Sequence, residues 1–167
     1  MSIRSGGRDM RWVMVVIAAV VVALDRVTKL WIMAHIKPGH GIVVIPQVFR
    51  LTHVLNTGAA FSMFESSTSP LLVRNLLIAF SIAAVVVVVV LIWTMGRRVT
   101  LMSVALALIL GGAVGNLYDR IRYAHVVDFL EVHIVHYHWP DFNVADSAIV
   151  VGACLVLLEM LRPQRSE

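Results

Sequence analysis

The sequence predicts an all-α membrane protein with a small extramembrane β-sheet: four transmembrane helices, a sheet on the membrane surface, and both termini in the cytoplasm. Three observations support this fold class. Of 167 residues, 59% are hydrophobic and only 14% are charged, whereas a soluble domain carries about 25% charged residues. The apolar residues form runs long enough to cross a bilayer, and Arg residues flank those runs. We expect residues 1–167 to form a single integral membrane domain.

The four predicted spans are the long apolar runs, at residues 12–34, 76–95, 99–118 and 144–161. About 20 helical residues extend about 30 Å, enough to cross the hydrocarbon core. A cleaved signal peptide is the rival interpretation of the first run, but no small-x-small cleavage site follows it. We expect helices throughout, even in the valine-rich run 85–90, because lipid offers backbone groups no other hydrogen-bond partners.

The positions of the Arg residues indicate the orientation of the chain. They lie in the N-terminal segment, between the second and third spans, and in the C-terminal tail, at Arg4, Arg8, Arg11, Arg97, Arg98, Arg162 and Arg165. An even number of spans puts these segments on one side of the membrane, and the positive-inside rule makes that side the cytoplasm. Residues 35–75 and 119–146 then face outward and hold all 7 histidines. Topology accounts for the net charge of +4, and no basic stripe suggests a nucleic-acid partner.

The outer segments contain the predicted β-structure. Residues 42–49 and 50–55 are short, β-branched and rich in apolar residues, which predicts a hairpin-like sheet on the membrane surface. The Asn-Thr-Gly sequence at 56–58 predicts a turn. Residues 126–134 partly alternate and favour another strand. One face of that strand would carry Val126, Asp128, Leu130 and Val132.

Ionisable residues in or near the spans are informative because a charge at a bilayer centre costs roughly 3 kcal/mol. Asp25 and Lys29 lie four apart on one helix face and can pair. The pair is either an interfacial ion pair, with Lys29 snorkelling to water, or part of a functional site. At the outer end of the third span, Asn116 and Arg120 point the same way. We interpret Asp119 as structural, and we expect Arg120 or Arg122 to be its cationic partner because a helix C-terminus disfavours an acid.

Asp128 and Asp146 are carboxylates among apolar neighbours at the outer membrane boundary. Each has a simpler interpretation alone: Asp128 as a strand residue facing water, and Asp146 as an acid at a helix N-terminus. Two such acids near one site also suggest an acid–base pair. Peptide hydrolysis needs a general base for water and a proton for the leaving amine, and two close carboxylates sharing one proton can supply both.

Other candidate sites have weaker support. His133, His136 and His138, with Asp141, have metal-ligand chemistry, but no HExxH accompanies them and we interpret them as interfacial polar surface. Ser62 and Ser147 lie in no G-x-S-x-G motif. The single cysteine, Cys154, is expected to be a small buried apolar residue. The G-x-x-x-G sequence at 111–115 predicts close packing of the third span against another helix.

Five blocks of this sequence, in order, resemble the motifs of the lipoprotein signal peptidase family, also called signal peptidase II. They are LDRVTK at 24–29, LNTGAAFS at 55–62, GGAVGNLYDR at 111–120, VVDF at 126–129 and FNVADS at 142–147. The resemblance covers nearly the whole chain and agrees with its length and predicted spans. The usual Gln after the first Asp is Arg26 here, and we expect this departure to leave the chemistry unaffected.

The resemblance implies an aspartyl endopeptidase of the bacterial inner membrane, with its active site at the periplasmic face. The family removes signal peptides from diacylglyceryl-modified prolipoproteins, cutting before the lipidated cysteine. The resemblance implies that Asp128 and Asp146 are the catalytic residues. It also implies that Asn56, Asn116, Arg120 and Asn143 orient substrate and dyad. The supporting residues would be Asp25, Lys29, Gly58 and Asp119. Prolipoprotein and membrane lipid are the implied partners, no cofactor or metal is expected, and we expect a monomer.

A different function class stays open from the residues alone. A small proton-coupled transporter could use Asp25, Asp128 and Asp146 as a relay. Against this interpretation, these acids lie toward one face of the membrane, and the four spans show no inverted repeat.

Overall fold

The computed structural model describes residues 9–58, 70–95, 98–135 and 137–162. In chain order the elements are helix α1 (Arg11–His35), strands β1 (Gly41–Ile45) and β2 (Phe49–Asn56), helices α2 (Pro70–Met95) and α3 (Leu101–Tyr123), strands β3 (Val126–Ile134) and β4 (Tyr137–Phe142), and helix α4 (Val144–Met160). The fold is therefore mostly helical with one small antiparallel sheet, as the sequence predicts.

Local chemistry sets the helix ends. Helix α3 begins after Thr100, which forms a capping box with Ser103, and ends at Ala124, whose φ of 64° is left-handed. Helix α2 begins six residues before its predicted span of 76–95, and helix α3 ends five residues after its predicted span of 99–118. Each helix continues past its apolar run into more polar residues. The segments 71–95 and 101–123 are long and apolar enough to cross a membrane.

Helix α3 is the central helix of the bundle and packs against the other three. Its glycines in 111–115 allow the close approach to other helices that the sequence predicts, here to α1 and α4. A Cβ on Gly111 would meet Val21 and the Ala18 carbonyl of α1, and a Cβ on Gly112 would meet the Ala145 carbonyl of α4. By contrast, α2 exposes many large apolar side chains, such as Val86, Val87 and Phe80. Such a surface fits lipid rather than water.

The four strands form one antiparallel sheet in the order β1-β2-β3-β4. The hairpin predicted at 42–55 and the strand predicted at 126–134 are present. The first hairpin strand ends at Ile45 rather than residue 49, because the chain turns through Gln47 at a φ of 62°. Strand β4 was not predicted. Ile32 of α1 and Ile36, the residue after its end, pack with Val127 and Phe129 of β3 and join the sheet to the bundle.

Candidate active site

Asp128 is held on β3 by two amide groups from different parts of the chain. Asn56, at the end of β2, donates from Nδ2 to Oδ2 of Asp128 at 2.9 Å. Asn143, before α4, donates from Nδ2 to Oδ1 at 2.7 Å. The side chain is buried, with 2% of the residue exposed. Both carboxylate oxygens therefore have fixed partners, and the carboxyl group has a defined orientation.

Asp146 is in the first turn of α4 and belongs to its capping box. Its Oδ2 accepts a hydrogen bond from the backbone N–H of Asn143 at 3.1 Å, and its own N–H donates to Oδ1 of Asn143 at 2.9 Å. Its Oδ1 accepts from Nδ2 of Asn116 on α3 at 2.7 Å. The helix-end interpretation of Asp146 is correct, but the same carboxylate also faces the polar side chains of α3.

Asn143 contacts both aspartates. One side chain donates to Asp128, accepts from the backbone of Asp146 and lies 3.3 Å from Oδ1 of Asn116. Asn143 is fully buried at 0% exposure. The sheet and α4 are thereby joined at one residue, which brings two carboxylates 18 positions apart in sequence (128 and 146) into one hydrogen-bonded cluster.

Burial raises the pKa of Asp128 from 3.8 to about 7, and the negative charge of Asp146 adds to the shift. The hydrogen bonds from Asn56 and Asn143 act in the opposite direction but do not offset the loss of water. A cavity of about 310 Å³ opens beside this carboxyl group, with Asn56, Pro140 and Asp141 in its walls. Asp128 is thus a carboxyl group that can hold a proton near neutral pH and has space in front of it.

Behind the aspartates lies a buried charge network. Nζ of Lys29 is 2.8 Å from Oδ2 of Asp25, 2.8 Å from Oδ2 of Asp119 and 3.1 Å from Oδ1 of Asn116. Lys29 is fully buried at 0% exposure, so the snorkelling interpretation is wrong. Asp25 also accepts from the backbone N–H of Ala145 at 3.0 Å, which ties α1 to the first turn of α4.

Asp119 has cationic partners other than those expected. Its carboxylate pairs with Lys29 and with Arg26, whose Nη1 is 2.9 Å from Oδ1. Arg122 lies over the Tyr123 ring instead. The expected pairing with Arg120 or Arg122 is therefore wrong, because α1 supplies both charges across the helix interface. Arg26 also donates to the Tyr123 hydroxyl at 2.7 Å, and the sequence offered no spacing signal for either contact.

Gly58 and Arg120 complete the group of predicted site residues. The N–H of Gly58 donates to Oδ1 of Asn56 at 2.8 Å, and a φ of 88° makes Gly58 the natural residue for this turn. Arg120 lies within electrostatic range of Asp128 and Asp146. Its Nη1 is 3.4 Å from Oγ of Ser81 on α2, a partner that the sequence did not suggest.

Cys154 is exposed rather than buried, because the outward face of α4 is apolar throughout. His136, Ala59, Ala60, Phe61 and Ser62 lie outside the described residues. Asp141 accepts a hydrogen bond from Oγ1 of Thr52 at 2.6 Å.

Known proteins share both the sequence and this fold. The family described as "Signal peptidase (SPase) II" matches residues 17–162. A lipoprotein signal peptidase of Solibacter usitatus is 41% identical over 157 residues, covering 94% of this chain and 95% of that protein. One of Pseudomonas putida is 44% identical over 166 residues, covering 98% and 95%. A solved bacterial membrane enzyme, 29% identical, superposes with a TM-score of 0.83 over 95% of this chain and 98% of its own.

Proposed function

The chain belongs to the signal peptidase II family, and from this premise we propose a reaction and the residues that perform it. It removes the signal peptide from diacylglyceryl-modified prolipoproteins, cutting before the lipidated cysteine. Asp128 and Asp146 are the catalytic pair. The observation that carries this assignment is Asn143, which hydrogen-bonds to both carboxylates and holds them in one buried cluster beside a cavity.

In the proposed mechanism the two carboxyl groups have different roles. Asp146 takes a proton from water as the water oxygen bonds to the scissile carbonyl carbon, while Asp128 delivers its proton to the carbonyl oxygen. Collapse of the tetrahedral intermediate then breaks the C–N bond, and the amine leaves with a proton returned through the pair. The raised pKa of Asp128, about 7, supports its role as the proton-bearing member.

The polar side chains around the pair have supporting roles in this proposal. Asn56, Asn116 and Asn143 fix the carboxylate orientations through hydrogen bonds of 2.7–2.9 Å. Arg120 offers a guanidinium near both acids, suited to charge that develops on the carbonyl oxygen. The network of Asp25, Lys29 and Asp119 holds α1, α3 and α4 in register behind the site.

We also propose the placement of the enzyme in the membrane. All four helices cross the bacterial inner membrane, with the termini and the Arg97–Arg98 loop in the cytoplasm. The aspartates then lie at the periplasmic boundary, where a lipid-anchored cysteine would sit. The apolar outer surface of the bundle meets acyl chains, and the sheet rests on the bilayer beside the cut site.

The transporter interpretation has less support. A proton relay needs ionisable groups in sequence across the membrane, but Asp25 is bound to Lys29 and to the N–H of Ala145. That carboxylate has a structural partner on each oxygen. The named relatives are peptidases, so hydrolysis explains the cluster better.

Purified protein in detergent or lipid, incubated with a lipidated prolipoprotein, tests the dyad. Asp128→Asn and Asp146→Asn should each lower the cleavage rate by roughly 10²- to 10⁴-fold, the usual contribution of general acid–base catalysis. The double variant should lose little more than either single one, because the residues act as a unit. Substrate binding and thermal unfolding should stay measurable in each.

Glu159→Gln is the matched control, since this acid near the end of α4 pairs only with Arg162, among the residues described, at 3.1 Å. It should cleave at the normal rate. Near-normal cleavage by Asp128→Asn or by Asp146→Asn would contradict the assignment. Asp119 would then be the next acid to examine.

A further inference from the structure

A second group of potential ligands lies on the sheet, away from the aspartates. Glu131 and His133 are two residues apart on β3, and His138 on β4 is the cross-strand partner of His133. Residues two apart on a strand share a face, and a cross-strand partner joins them there. Three side chains from two strands therefore meet on one patch of the sheet.

The distances within this group suit a metal ion. Oε1 of Glu131 is 2.9 Å from Nε2 of His133 and 2.9 Å from Nε2 of His138. The potential ligand atoms all lie within 4.8 Å of one another. Around tetrahedral zinc, bonded at about 2.0–2.1 Å, neighbouring ligand atoms are about 3.3 Å apart. Small side-chain rotations would therefore admit the ion.

The Glu131 carboxylate lies in the interior of the patch, behind the two imidazoles. The residue is buried, with 4% exposed, and Nη1 of Arg50 donates to its Oε1 at 3.2 Å and lies 3.1 Å from its Oε2, which has no hydrogen-bond partner among the described residues. His133 and His138 are more open, with side-chain exposures of 33% and 54%. A buried carboxylate behind two accessible imidazoles leaves an entry path for an ion from solvent.

We propose that Glu131, His133 and His138 form a binding site for a divalent transition-metal ion of the zinc class. Two imidazoles and one carboxylate are a ligand set that zinc accepts, with a fourth position open to water. Among first-row ions, such nitrogen and oxygen sites favour the late metals. The histidine spacing alone did not favour a metal because the completing ligand is Glu131, not Asp141.

This metal site is separate from the catalytic pair. Asp128 is three residues from Glu131, so it lies on the opposite face of β3 and about 10 Å along the strand. The ion would clamp β4 onto β3, and β4 supplies Pro140 and Asp141 to the wall of the cavity beside Asp128. Its effect is therefore on the stability of that wall, and peptide cleavage itself proceeds without it.

Metal titration of the untagged, full-length protein in detergent tests the site. Co²⁺ should bind at one ion per chain with the visible absorption of a tetrahedral site, Zn²⁺ should displace it, and Zn²⁺ should raise the thermal unfolding temperature. His133→Ala and His138→Ala should each weaken Zn²⁺ binding roughly tenfold or more. His40→Ala is the matched control, an exposed histidine outside the sheet's metal patch, and should bind as the wild type does.

A second measurement needs no variant. X-ray absorption of the zinc-loaded wild-type protein should show imidazole scattering from two histidines with additional oxygen ligands. Absence of stoichiometric binding would overturn the proposal. Binding that survives the combined change His133→Ala and His138→Ala, or a zinc spectrum without imidazole, would overturn it too.

Discussion

Asp128 is a carboxyl group in surroundings that disfavour its charge. Because burial raises the pKa of Asp128 in the folded state to about 7, above the 3.8 of a solvent-exposed Asp, the folded state holds the proton more tightly than the unfolded state. The stability that this group contributes is fully present below pH 3.8 and is lost as the pH rises through about 7. The loss should approach roughly 1.4 kcal/mol per pH unit inside that window.

Unfolding measured in detergent from pH 4 to pH 8 checks this residue. Asp128→Asn should remove most of the slope, since Asn has no proton to lose, whereas Glu159→Gln should keep it. The same proton should appear in catalysis, with the cleavage rate falling above about pH 7 as Asp128 ionises. An unchanged stability slope in Asp128→Asn would contradict the pKa assignment.

The buried network behind the site is balanced in charge. Asp25 and Asp119 face Lys29 and Arg26, two acids against two bases. Asp119→Asn leaves Arg26, whose side chain is 21% exposed, without its carboxylate and leaves Lys29 with Asp25 as its one ion-pair partner among the described residues. This should cost roughly 1–3 kcal/mol of unfolding free energy and lower activity in part. Adding Arg26→Gln restores the balance, so the double variant should be more stable than Asp119→Asn alone.

Thermal unfolding of Asp119→Asn, Arg26→Gln and the double variant, compared with the unmodified protein, forms a double-mutant cycle. Additive losses would show that Arg26 does not balance Asp119. Arg26 is a departure from the motif that the sequence resembles. It lies over the Tyr118 and Tyr123 rings, at 4.7 Å and 5.2 Å, and is thereby anchored to α3. At this position the departure from the family motif has a structural consequence that the motif did not suggest.

At the scale of whole elements, the contact of α3 with α4 depends on small residues. A Cβ on Gly152 would come within 2.7 Å of both the Ala105 carbonyl oxygen and Cγ1 of Ile109. Gly152→Val should therefore lower the unfolding free energy by roughly 1–3 kcal/mol, as overpacking does. The neighbouring Ala153→Val changes an exposed position and should leave the unfolding temperature nearly unchanged.

Unfolding of both variants in the same detergent measures this difference. Gly152 is far along α4 from Asp146, so the surviving folded protein should still cleave substrate. Equal stability of the two variants would indicate that α3 and α4 are not closely packed at this level. The same packing argument applies to Gly112, whose Cβ would meet the Ala145 carbonyl in the first turn of α4.

At the scale of the whole molecule, the proposed topology predicts which residues are accessible from each side. In a Cys154→Ser background, His40→Cys should react with a membrane-impermeant maleimide added outside spheroplasts. Arg98→Cys should react only after the membrane is opened, because the proposed topology places the loop between α2 and α3 in the cytoplasm. Both positions are exposed. Labelling of Arg98→Cys from outside intact spheroplasts would contradict the proposed orientation.

The sequence by itself determined the helices and three of the four strands, and its resemblance to a family supplied the candidate site residues. Apolar runs of about 20 residues and period-two alternation are local properties, so they are readable without a fold. Even so, element ends shifted, because capping by Thr100 and turns through Gln47 and Ala124 are decided by a few local contacts.

Only the tertiary structure decided which buried polar residues hydrogen-bond or form ion pairs with one another across elements. Asn143 joins Asp128 to Asp146, Lys29 of the predicted Asp25–Lys29 pair also binds Asp119 of α3, and Glu131 of β3 also reaches His138 of β4. Sequence spacing predicts neighbours along one helix or strand, but these contacts cross between elements. Charged and amide side chains that are buried between elements need hydrogen-bond or ion-pair partners. Which partners are within reach depends on how the helices and strands pack, and sequence spacing does not contain that information.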